Sequence, residues 1–75
     1  MNKVINGEEQ FQVLVSSMII SPSNEGYTLN YSADGENFTA WTEATPAGEN
    51  CIVNGIADGT YFKLVGNQSE VVVRG

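Results

Sequence analysis

The chain has no histidine and one cysteine, Cys51, among its 75 residues. An internal disulfide cannot form, and a zinc site has no Cys/His cluster to hold it. Basic residues are nearly as scarce: three Lys and Arg stand against nine Asp and Glu, a formal net charge of −6. Phosphate backbones are bound by Lys and Arg in numbers, so this balance argues against nucleic acid as a partner. An anionic membrane surface is disfavoured for the same reason. Long apolar runs are also missing. No stretch approaches the ~20 residues of a membrane span, and Met1-Asn2-Lys3-Val4-Ile5-Asn6-Gly7 lacks the apolar core of a signal peptide. The expectation is a product made in a cytoplasm without a leader of its own. Three Asn-x-Ser/Thr sequons, at Asn30, Asn37 and Asn67, read as turn chemistry rather than glycan acceptors.

At this length the chain is one domain, residues 1–75, with a thin core. A chain so short buries roughly 60% of the surface its unfolded form exposes. Small domains are commonly helped by disulfides, a metal or association. With the first two set aside, association is left, and it is the first pointer to function.

What is present is strand and turn chemistry. In Tyr27-Thr28-Leu29-Asn30-Tyr31-Ser32 apolar and polar residues alternate, and Asp34-Gly35 follows. That pattern describes a half-buried strand entering a hairpin. It places Tyr27, Leu29 and Tyr31 toward the core and Thr28, Asn30 and Ser32 outward. Residues 37–44 return, with Phe38 and Ala40 on one face and Thr39, Trp41 and Glu43 on the other. Upstream, residues 3–5 form a short strand ended by Asn6-Gly7. Residues 10–20 form the longest apolar-rich stretch, where Phe11, Val13 and Val15 share a face. Its alternation breaks at Ser16-Ser17, as at a bulge or a crossing between sheets. Downstream, residues 21–26 and 45–50 read as loops. Residues 51–53 are a short strand, Ile56-Ala57-Asp58-Gly59 crosses to a strand over residues 60–65, and residues 70–74 finish the chain. Six or seven short strands with regular turns and no helical periodicity predict an all-β antiparallel sandwich or small barrel.

The hairpin at residues 27–35 and the later Gly59-Thr60-Tyr61 resemble the immunoglobulin-like and fibronectin-type-III-like modules of bacterial and phage surface proteins. Such modules often carry Tyr-x-Tyr-Ser-x-Asp-Gly; Leu29 stands here where the first tyrosine would, and Tyr27 lies two positions further back. The likeness covers about two-thirds of the chain, from Tyr27 onward. It implies a small immunoglobulin-like sandwich, in which Tyr61 would form a corner by bonding back to backbone. Two departures stand out: no cysteine pair bridges the sheets, and the chain is shorter than the ~100 residues of an ordinary immunoglobulin domain. A strand lost, or supplied by a neighbour, would account for both.

Catalytic chemistry finds little support. Cys51 has no histidine to activate it and reads as a small apolar residue in a strand. Asp34, Glu36 and Asp58 sit on tight turns, where Asp bonds backbone rather than substrate. Asp34, Glu36 and Asn37 fall short of the ligand run of a calcium loop, and no glycine-rich phosphate loop opens a helix. No catalytic residue, metal or cofactor is expected. Trp41 is the most informative side chain. If Phe38 points inward, Trp41 points outward among Thr39 and Glu43, as a hot spot or sugar-stacking platform would; if the register slips by one, Trp41 is the core tryptophan.

The leading expectation is therefore a non-enzymatic structural module that docks on a larger protein assembly or on itself. Most concretely it is a phage virion component of the capsid-decoration or head-fibre type, at the virion surface, binding through Trp41, Thr39 and Glu43. Residues 10–20 would offer a shared or swapped edge. The alternative is a carbohydrate-binding or adhesion module, at the cell surface as part of a larger protein, with Trp41, Tyr31 and Tyr27 stacking on a glycan.

Overall fold

The computed structural model describes residues 2–21, 27–42, 45–47 and 50–75, the side chains of 45–47 excepted. Nine strands follow in chain order: β1 (Asn2–Asn6), β2 (Phe11–Val13), β3 (Ser17–Ser21), β4 (Thr28–Ser32), β5 (Thr39–Ala40), β6 (Thr45–Ala47), β7 (Asn50–Asn54), β8 (Thr60–Val65) and β9 (Glu70–Arg74). No helix occurs among the described residues. The all-β class is as expected, but among the described residues the strands number nine rather than six or seven. The additions arise because residues 10–20 divide into β2 and β3 and because β6 falls where a loop is expected.

The strands form two sheets, ordered β1-β9-β3-β7-β6 and β2-β8-β4-β5. Every pairing is antiparallel. Side chains alternate across a strand, and β8 follows that rule: Thr60, Phe62 and Leu64 are buried while Tyr61, Lys63 and Val65 point away. In β9, Val71 and Val73 are buried and Glu70, Val72 and Arg74 are exposed. Ile5, Met18, Ile20, Val53, Val71 and Val73 from the five-stranded sheet join Phe11, Val13, Leu29, Phe62 and Leu64 from the four-stranded sheet in one core. The two sheets thus close on each other, as in a β-sandwich. Each fully buried side chain such as Phe62 or Leu64 contributes about 1.5–3 kcal/mol by leaving water.

The break at Ser16-Ser17 is a crossing between sheets: β2 belongs to the four-stranded sheet and β3 to the five-stranded one. A second crossing, from β7 to β8, runs beside it. Its Ile56 N–H donates to the Ser16 carbonyl and its Gly59 N–H to the Val13 carbonyl, both at 2.9 Å. The turn into β8 is tied by Thr60, whose hydroxyl donates to the Ala57 carbonyl at 2.6 Å.

Four local expectations need correction. The alternation points Ser32 outward, yet it is buried, because its Oγ accepts the Asp34 and Gly35 N–H groups. Turn residues predict a loop over residues 45–50, yet Thr45–Ala47 pairs with β7. Pro46 is tolerated there because β6 is an edge strand, with one side free of ladder bonds. Asn67 is more than a turn residue. It is buried, and its Nδ2 donates to the Gly7 carbonyl at 2.9 Å and the Ser69 carbonyl at 2.7 Å. Tyr61 makes no corner: its ring lies against Gly35, and no hydrogen bond from its hydroxyl occurs among the described residues.

Candidate interaction site

The site is built on the β4–β5 hairpin. Its turn is folded by side chains rather than by backbone alone. The Asp34 carboxylate accepts the N–H groups of Glu36 and Asn37 at 2.9 and 3.0 Å, the Ser32 hydroxyl at 2.7 Å and the Asn37 side-chain amide at 2.9 Å. These bonds, the Asn37 N–H first, hold the Asp34 carboxyl well below the usual carboxylate range. Gly35 takes φ +80°, and a Cβ there would come within 2.9 Å of the Gln10 amide nitrogen. The turn therefore needs glycine at that position.

The hairpin fixes which residues face inward. Tyr31 pairs with Phe62 on one side and Thr39 on the other, so the three share the inner side of the sheet. The Trp41 N–H donates to the Leu29 carbonyl at 2.8 Å, which sets Trp41 two residues on from Thr39 and on that same side. Its indole packs edge-on to Tyr31 at 5.0 Å and to Phe62 at 5.7 Å, and Phe62 in turn stacks on Phe11 at 5.9 Å. Phe38 and Ala40 take the outer side, where Phe38 lies 4.8 Å beneath the Lys63 ammonium and Ala40 is exposed. The face assignment of this strand is the reverse of the one that set Trp41 outward, and it matches the slipped-register reading.

Trp41 is nonetheless not sealed in the core. It is half-buried, and with Tyr31, Ala40 and Thr42 it lines a recess of about 180 Å³ at the open edge of the sheet. Its Nε1 is buried and has no hydrogen-bond partner among the described residues; the same holds for Oδ1 of neighbouring Asn30. Thr39 is exposed beside it, and Glu43 lies outside the described residues. Of the residues expected at the site, Trp41 and Thr39 come together, joined by Tyr31. Tyr27 packs elsewhere against the core.

Cys51 is half-buried against the core, and burial pushes its thiol pKa up, away from the nucleophilic thiolate. No group of three or more His, Cys, Asp and Glu side chains able to hold a metal occurs among the described residues.

A second surface escaped the sequence reading. On the outer face of the five-stranded sheet Val4 is 52% exposed and Ile19 and Val72 are each 37% exposed. Beside Ile19, Ile52 and Arg74 a shallow depression of about 490 Å³ opens. The run Val71-Val72-Val73 hides which of its members faces water; only the register separates them. Comparison with protein-family models, with curated proteins and with solved structures yields no match for this chain.

Proposed function

We propose that this chain is a non-enzymatic interaction module that docks on a larger protein assembly. Its most concrete form is a virion-surface component of a phage, of the capsid-decoration or head-fibre type. The observation that carries the reading is the buried indole N–H of Trp41, without an acceptor among the described residues, next to a two-residue edge strand. An orphaned buried donor costs about 1–3 kcal/mol, and an acceptor supplied by a docked partner removes that cost. The exposed Thr39-Ala40 edge offers backbone for the same partner to pair with. Acidic charge and a thin core support this reading. The immunoglobulin-like resemblance is kept here at the level of two antiparallel sheets. In that family the last two strands share a sheet, whereas β8 and β9 lie in opposite sheets.

The test is recovery of the tagged protein's partners from a lysate of its source, virus particles included, followed by mass spectrometry. One dominant shell-forming protein is expected. Trp41→Phe, which keeps a ring and removes the N–H, should weaken its capture by about tenfold. No protein partner, or capture indifferent to Trp41→Phe, overturns the proposal.

The recess beside Tyr31 and Trp41 favours one second reading, glycan recognition, since aromatic rings stack on sugars. It ranks lower because the indole is already engaged by Tyr31 and Phe62. A flat Trp41 fluorescence titration across common polysaccharides rules it out.

A further inference from the structure

The outer face of the five-stranded sheet differs in character from the rest of this acidic chain. It carries two apolar pairs: Val4 and Val72 are direct cross-strand neighbours, and Ile19 pairs with Ile52 on one side and with Arg74 on the other. The remaining outward positions on β1, β3 and β7 are Asn and Ser. Among its described side chains two are charged, Glu70 and Arg74, at opposite ends of β9 with Val72 midway between them. Neither is in an ion pair among the described residues. Few charges beside apolar pairs are what the core of a protein interface shows.

We propose that a second copy of this chain packs on this face, sheet against sheet, about a two-fold axis passing at Val72. A two-fold contact must be self-complementary, and the charges choose which two-fold applies. An axis lying in the sheet plane across the strands lays β9 antiparallel on the partner's β9. Val72 then meets the partner's Val72, Glu70 meets the partner's Arg74, and Arg74 meets the partner's Glu70. An axis along the strands would instead set Glu70 on the partner's Glu70 and Arg74 on the partner's Arg74, which repel. Sheets pack ~10 Å apart, a gap that a glutamate and an arginine side chain span together.

Size sets the strength. Five strands at ~4.8 Å spacing and five residues at ~3.3 Å give a face of about 24 by 17 Å, roughly half the ~800 Å² per partner of a standard interface. The dimer is therefore of the weak class, with a dissociation constant on the order of 100 µM.

Sedimentation equilibrium from about 10 µM to about 1 mM tests it. The weight-average mass should rise from 8.1 kDa toward twice that value. Glu70→Arg and Arg74→Glu should each weaken the dimer about tenfold, and the two together should restore it to within about threefold. Val72→Asp should abolish it, with the fold of each variant checked by circular dichroism. Mass that stays at the monomer value throughout overturns the proposal, as does a dimer that ignores the charge reversals. Trp41→Phe should leave this equilibrium unchanged, so failure here and failure of the docking reading are separately visible.

Discussion

The Asp34 carboxylate collects four hydrogen bonds from within residues 32–37, though it stands at the surface. Four donors aimed at one acceptor favour its charged form, so its folded pKa lies well below the ordinary value of about 3.9. Its sign follows from linkage. With the folded pKa depressed, its contribution is fully present above about pH 4 and is lost as pH falls from there through the folded pKa. Wild-type protein should therefore lose part of its thermal stability as pH falls below about 4. Asp34→Asn should melt lower at neutral pH, since its amide would face the Asn37 amide donor to donor, and the gap between the two should close in acid. Melting curves over that range check this; a constant gap would mean that the turn does not depend on the charge.

At the scale of elements, Asn67 ties the turn before β9 to the turn after β1. It donates to the Gly7 carbonyl, while the Gly7 N–H donates to the Ser69 carbonyl at 3.1 Å. Asn67→Ala would strip from a buried site the donor that serves the Gly7 and Ser69 carbonyls. The expected cost is about 1–3 kcal/mol, a fall in Tm of roughly 5–20 °C. A loss under about 0.5 kcal/mol, the range of ordinary surface changes, would mark these contacts as incidental. The same elements show what a sequence can carry. β4 and β8 were legible because five or six alternating residues reveal both strand and face. The break at Ser16-Ser17 was legible because the alternation stops there, but only the pairing of β2 and β3 in different sheets separates a crossing from a bulge. The face of Trp41 was not, since β5 has two residues and its parity is set by a turn whose length depends on how Asp34 and Ser32 bond. The burial of Asn67 was equally hidden, because it depends on a Gly7 carbonyl sixty residues away. The Val4–Val72 face required the register of β1 on β9.

For the whole molecule, one core built from both sheets implies one unfolding event. The chain carries a probe in each sheet. Trp41 reports on the four-stranded sheet through its contacts with Tyr31 and Phe62. Cys51, in β7, reports on the five-stranded sheet, because a half-buried thiol with raised pKa reacts slowly until its strand leaves the core. In urea, at concentrations low enough to keep the chain monomeric, tryptophan fluorescence and thiol reactivity should share one midpoint, with a slope of about 1 kcal/mol per molar. A thiol that reacts well below the fluorescence midpoint would mean that the five-stranded sheet opens on its own. Stability would then reside in the four-stranded sheet with its chain of aromatic rings. The five-stranded sheet would be the part that gains most from a second copy, and raising the protein concentration should draw the two midpoints together.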